Sequence, residues 1–340
     1  MISNVPAFHL SSFYVSAVKM RGKDGSMKKI VIALGGNAIK QWDQKGSAEE
    51  QFKNVRKSCS HIVRLIKKGF QVVVTHGNGP QVGNLLIQQE AGSSEVPPQP
   101  IDLCGAMTQG QIGYMMQQAL LNELKDARLD RNVVTLITQV MVDREDPGFR
   151  NPTKPVGPFY TKAQKEQYEK QTGHVFKKIT MQGERYRRVV PSPDPLRILE
   201  AKMIKGLFES GVIVIASGGG GIPVILDGEG HISGLEAVID KDLAGEKLAE
   251  SVGADIFMIL TDVDKVYLHF GEKRQKGLNR LTLDQAKQYL RDGYFPSGSM
   301  GPKVEACIRF IEYGGERSII TSLDNAFEAL DRKEGTQITE

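Results

Sequence analysis

Short apolar runs alternate with stretches of helical periodicity along most of the chain. Lys29–Leu34 reads KIVIAL, β-branched and continuous, and stops at Gly35-Gly36. Ser47-Ala48-Glu49-Glu50 carries the Ser/Glu spacing in which side chain and backbone amide satisfy one another at a helix start. Phe52, Val55, Cys59, Ile62, Val63 and Ile66 follow on one helical face, and Gly69 is placed to take a left-handed stop. Phe70–Val74 predicts the next strand, which runs into Thr75-His76-Gly77-Asn78-Gly79-Pro80. The pattern then predicts a helix over 106–125, a strand over 133–142, and a helix opened by Asp194-Pro195 that ends near Gly211. A strand over 212–216 meets Gly218–Gly221, and a helix (241–252), a strand (256–260), a helix (302–313) and a strand (318–321) complete the series.

Fully apolar strands interleaved with helices indicate an α/β protein, with an open, mostly parallel central sheet covered on both faces. The glycine clusters fall mostly at the carboxyl ends of strands, where such sheets bind ligands. Residues 144–190 break the rhythm. They are rich in Pro and Tyr and read as a protruding inserted subdomain or lid. Folding signals begin at Lys28, so residues 1–26 are expected to be a disordered N-terminal extension and residues 27–340 one domain. The extension reads as a leader, a transit peptide or sequence ahead of an internal start.

Composition narrows the function. The 340 residues are 40% hydrophobic and 25% charged, as in a globular protein, and nowhere does an apolar run reach the ~18 residues of a membrane-spanning helix. The net charge of +4 is uneven: residues 144–190 carry eleven Lys or Arg against five Asp or Glu, and residues 1–26 carry a net +2, which leaves −4 elsewhere. A near-neutral body with one basic segment argues against a nucleic-acid partner and suits a small anionic substrate; a solvated, lysine-rich surface is the other reading of that segment. Cys59, Cys104 and Cys307 show no paired spacing, and the six His form no zinc-hydrolase motif. A reducing, cytoplasmic setting fits, with no dedicated metal site.

The chemistry gathers at four glycine turns: Gly35-Gly36-Asn37, Gly77-Asn78-Gly79, Gly218–Gly221 and Gly298–Lys303. Glycine lets backbone amides approach an anion closely, and a following helix N-terminus adds a favourable dipole. Neither a G-x-x-x-x-G-K-[ST] loop nor a dinucleotide G-x-G-x-x-G follows the first strand, and the protein-kinase motifs are missing. Phosphoryl transfer by another glycine-loop design needs cations on the migrating group. Lys241 and Lys303 stand at predicted helix starts, where the dipole disfavours a cation unless an anion lies between; Lys154 stands in the basic insertion.

These residues carry a resemblance. VIALGGNAI (31–39), SHIVRLIKKGFQVVVTHGNGPQVGNLL (60–86), CGAMTQGQIGYM (104–115), NPTKPVGPFY (151–160), RRVVPSPDP (187–195), GGGGIPV (218–224), EAVIDKDLA (236–244), ILTDVD (259–264) and GSMGPKVEA (298–306) occur in the order found in carbamate kinases of the amino-acid kinase superfamily. Ala33 stands where other members tend to place a lysine, while carbamate kinases supply one from the inserted subdomain. The resemblance implies a three-layer α/β/α sandwich with a protruding subdomain, usually a homodimer. It implies reversible, Mg²⁺-dependent transfer between carbamoyl phosphate and ADP, giving ATP and carbamate, in arginine breakdown by the arginine deiminase pathway.

By the same resemblance Lys241 and Lys303 contact the migrating group, Asp240 orients them, and Lys154 reaches in from the lid. Gly35, Gly36, Asn37, Gly77, Asn78 and Gly79 cradle phosphate, with Gly219 and Gly220 bordering it. Thr261, Asp262, Asp264 and Met300 lie near the nucleotide. The helix at 104–115 belongs either to the dimer interface or to the core. Around Thr180–Arg187 the chain departs from the family's Gly-Arg-Gly-aromatic-Arg run, which concerns lid geometry. Two other functions stay open on the sequence: another acyl-phosphate or amino-acid kinase, and a non-catalytic sensor of nucleotide or carbamoyl phosphate.

Overall fold

A computed structural model describes residues 27–180, 184–296 and 298–340; the N-terminal extension and Gly183 lie outside the described residues. An eight-stranded sheet forms the centre. From edge to edge its strands are Arg280–Thr282, Thr336–Thr339, Arg317–Ser322, Ile256–Thr261, Lys29–Leu34, Gln71–His76, Ile213–Ile215 and Val133–Thr135. All neighbours pair in parallel except Thr336–Thr339 against Arg317–Ser322.

The first strand shows why its run is apolar without interruption. Ile30, Ile32 and Leu34 point into one core, and Val31 and Ala33 into the other. A strand buried on both faces has no solvent side to mark with polar residues. Helices α1 (Ala48–Lys67) and α3 (Ile101–Asp126) cover the first face through Val55, Ile62, Ile112, Met116 and Leu120. Helix α2 (Gly79–Ala91) lies between them in sequence. α4 (Lys162–Thr172) belongs to the insertion. α5 (Ala201–Glu209), α6 (Lys241–Val252), α7 (Leu283–Arg291) and α8 (Met300–Glu312) cover the second face, with Phe208, Leu248, Phe310 and Ile311 in its core. Short α9 (Ala326–Leu330) packs back on the first. The expected three-layer α/β/α arrangement is therefore present.

Ser47 caps α1 as the spacing predicts: its hydroxyl accepts the Glu50 amide, Glu50 returns the bond to the Ser47 amide, and Gly69 after the last turn has φ +93°. Two expectations fail. The run 133–142 is two strands in different sheets, because the chain turns at Thr138, whose amide donates to Gln109 Oε1 (2.8 Å) and whose hydroxyl accepts the Ser217 amide (2.9 Å). Asp194-Pro195 opens no helix. Pro195–Ile198 is the edge strand of a four-stranded sheet, a place that tolerates a residue with no amide hydrogen. The Asp194 carboxylate takes the Arg309 guanidinium at 2.7 Å instead of capping, and α5 starts only at Ala201.

The insertion has its own three-stranded antiparallel sheet: Lys154–Tyr160, Glu184–Val190 and Val175–Thr180. Its Val156 and Val190 join Val82 of α2 and Ile101 of α3 in a small separate core.

Candidate active site

Three helix N-termini meet at the carboxyl end of the central sheet. α2 begins after Asn78, α6 after Asp240 and α8 after Ser299. They border a cleft of about 600 Å³. Gly36, Gly77, Asn78, Gly79 and Gly219 supply one wall and Lys154, Asp240, Lys241, Asp242 and Lys303 the other. At Gly77 and Gly219 the wall has no room for a side chain. A Cβ on Gly77 would stand 3.1 Å from the Gly36 amide nitrogen and 3.3 Å from the Lys241 chain. Gly219 has φ +68°, and a Cβ there would reach 2.1 Å from the Asn78 amide group. Backbone N–H groups can thus come within bonding distance of an anion, and each helix start adds partial positive charge.

The cations are arranged by two carboxylates. Lys241 and Lys303 both donate to Asp242: Lys241 to Oδ1, and Lys303 to Oδ2 at 2.9 Å. The Asp242 side chain is 2% exposed. Asp240 accepts Lys154 at 2.7 Å with one oxygen and the Asp242 amide at 2.9 Å with the other, which also caps α6. Burial alone would raise the Asp240 pKa, but the Lys154 ammonium, then Lys241, override it and hold it at about 2. Burial pulls Lys241 below its usual range, against the attraction of Asp242 and with help from the Lys303 charge. For Lys303 burial acts downward too, yet Asp242, Asp240 and Asp262 hold it above its usual value. Three ammonium groups from distant stretches of the chain therefore face one glycine-walled space, which can take a polyanion and stabilise charge on a migrating phosphoryl group.

The other expected residues divide. Gly35, Asn37, Thr261 and Asp262 line a second hollow of about 190 Å³. Gly220 sits behind the wall, where a Cβ would stand 2.4 Å from the Ile239 carbonyl oxygen. Asp264 accepts the Tyr267 hydroxyl at 2.7 Å, and Met300 opens α8 with its side chain against the core. Asp240, expected to orient Lys241 and Lys303, hydrogen-bonds Lys154 and acts on the other two lysines through its charge.

The carboxylates flanking Lys241 are expected to hold and aim its charge, but of the two the sequence reading names only Asp240 as a site residue and not Asp242. Its signal was present: in Asp240-Lys241-Asp242 the second acid falls in the first turn of a helix, where the dipole favours it. Buried His76 was also missed. Its ring packs where a Cβ on Gly218 would be, and burial pushes its pKa down to about 4.

The amino acid kinase family pattern matches residues 28–322, and the chain belongs to that family. Relatives 45–56% identical to it are carbamate kinases. The enzyme of Pyrococcus furiosus is 56% identical over 313 residues, 92% of this chain and 99% of the relative. That of Staphylococcus haemolyticus is 49% identical, again over 92% of this chain and 99% of its own. Among solved structures, carbamate kinase from Giardia lamblia bound to AMP-PNP superposes with a TM-score of 0.86 at 45% identity, covering 92% of this chain and 98% of that one.

Proposed function

We propose that the chain is an ATP:carbamate phosphotransferase. It moves a phosphoryl group reversibly between carbamoyl phosphate and ADP, giving ATP and carbamate, which decomposes to ammonia and CO₂. The carrying observation is the pair of ammonium groups of Lys241 and Lys303 on the two oxygens of one buried carboxylate, above the glycine wall. A phosphoryl group offers the same two lysines a more highly charged set of oxygens. Lys154 approaches from the insertion, residues 144–190, which acts as a lid on the catalytic domain 27–340. Gly36, Gly77, Asn78, Gly79 and Gly219 cradle the phosphate; Gly35, Asn37, Thr261 and Asp262 serve the nucleotide side.

Among the described residues no cluster of three or more His, Cys, Asp or Glu could hold a metal ion. Mg²⁺ carried on nucleotide phosphates needs only one or two protein carboxylates. Asp262 fits this part: it is close enough to raise the Lys303 pKa, and its carboxylate accepts the Thr261 hydroxyl at 3.0 Å. An ion held there would supply charge neutralisation to the phosphates. The same reading places the reaction at the end of arginine breakdown by the arginine deiminase pathway, in the cytoplasm. The open face of α3, with Leu103, Met107, Tyr114 and Leu121 exposed, supports a homodimer.

The test is ATP formation from ADP and carbamoyl phosphate, followed by a coupled enzyme. Lys241→Ala and Lys303→Ala are expected to lower kcat by about 10²–10³, as for other positioned charge stabilisers, with melting temperatures showing that both fold. Wild-type turnover by either variant ends the role given to that lysine.

A further inference from the structure

Two polar links tie the insertion to the body at points far apart along one strand, besides a third from Arg188 to Glu236. Lys154, at the start of the strand Lys154–Tyr160, donates to Asp240 beside the cleft. Tyr160, at its end, donates its hydroxyl to Glu90 Oε2 at 3.0 Å, and Tyr168 of α4 donates to the other oxygen of the same carboxylate. Glu90 is in the last turn of α2, the helix whose first turn forms part of the glycine wall. Thirteen helical residues span ~20 Å and seven extended residues ~23 Å, so helix and strand are matched in length. They run side by side in the same direction: Val156 packs in the small core with Val82, and the Gly157 position stands 3.8 Å from Leu86.

The far end is built, not incidental. Tyr160 is 9% exposed, and its ring meets Tyr168 and Phe176 edge-on at centroid distances of 5.2 and 5.1 Å. Burial and the neighbouring Glu90 raise the pKa of the Tyr160 hydroxyl, which therefore stays a donor at neutral pH. Burial is not the leading cause at Tyr168; there the hydrogen bond to Glu90 comes first, with the same direction. A carboxylate at a helix C-terminus is disfavoured by the dipole, and the two phenol donors offset that cost.

We propose that Glu90 is a positioning residue. By accepting the Tyr160 and Tyr168 hydroxyls it fixes the strand Lys154–Tyr160 along α2, and so holds the Lys154 ammonium over the glycine wall some 20 Å away. This rests on the phosphotransferase reading for the role of Lys154, but the latch itself does not. The charge of Glu90 never meets substrate. It sets the register between a cation carried by the insertion and the amides carried by the same helix.

Full-length Glu90→Gln, Lys154→Ala and the double variant test the proposal, with Tyr160→Phe as a milder change should Glu90→Gln fail to fold. Loss of the latch misplaces Lys154 without removing it. The expected kcat loss for Glu90→Gln is about tenfold to a hundredfold, the scale of a small misplacement in an active site, with KM for ADP unchanged. In the Lys154→Ala background the same change is expected to cost nothing further. Hydrogen exchange without substrates is expected to quicken at 154–160 and remain as in wild type in α1 and the central strands. Unchanged exchange at 154–160, unchanged kcat, or losses that multiply in the double variant each overturn the proposal. A wild-type protein that forms no ATP overturns the phosphotransferase reading instead, and the exchange result then decides the latch alone.

Discussion

Asp242 carries two ammonium groups on one carboxylate while nearly shut off from water. Charged groups leave water at such a site only in compensating sets, and removing one member leaves the rest uncompensated. Asp242→Asn keeps one carbonyl oxygen and loses the charge. It is expected to destabilise the fold by about 3 kcal/mol, the low end for breaking a buried ion pair. It also bears on pH. Burial already lowers the Lys241 pKa and Asp242 is the main opposing influence, so without that charge the pKa falls further. The alkaline limb of the kcat profile should move to lower pH in Asp242→Asn. A limb that stays in place refutes the assignment of that limb to Lys241.

At the scale of elements, the start of α1 is a local device. Ser47→Ala removes a hydroxyl that accepts the Glu50 amide, and the expected cost is about 1 kcal/mol, read by denaturant unfolding, with turnover unchanged. Such devices are legible because their partners lie three residues apart. The strand Lys29–Leu34, α6 and the glycine wall were legible for a related reason: period, caps and punctuation are written in contiguous residues. What the sequence concealed depends on partners far along the chain. Asp194-Pro195 has the spelling of a helix start, yet Arg309, 115 residues away, claims the Asp194 carboxylate. The run 133–142 is mostly apolar and β-branched, and nothing local says that Thr138 takes the chain from one sheet to another. In the site, the three lysines could be picked out by their neighbours, whereas the sharing of Asp242 between Lys241 and Lys303 arises only when α6 and α8 pack together.

That packing has consequences for the whole molecule. Glu246 of α6 lies fully buried, and neither of its oxygens finds a hydrogen-bond partner among the described residues. Burial, reinforced by Glu250 and opposed by Lys247, lifts its pKa from 4.5 to about 8. The native state therefore binds this proton more tightly than the unfolded chain does. The stability linked to Glu246 is whole below pH 4.5 and drains away as pH rises through about 8. Glu246→Gln should flatten the dependence of unfolding free energy on pH across that window; an unchanged slope would show that Glu246 titrates normally. Asp240 acts at the opposite end: its pKa is depressed from 3.8 to about 2, so its contribution is present above pH 3.8 and lost as acidity carries the solution through 2. Asp242 has a last implication, for selectivity. Two cations already seated on an internal twin-oxygen anion yield only to a visitor presenting several oxygens at once. Halide ions, abundant in any cell fluid, each bring a single point of charge and are poor replacements. Discrimination between salt and substrate is in place before any nucleotide arrives.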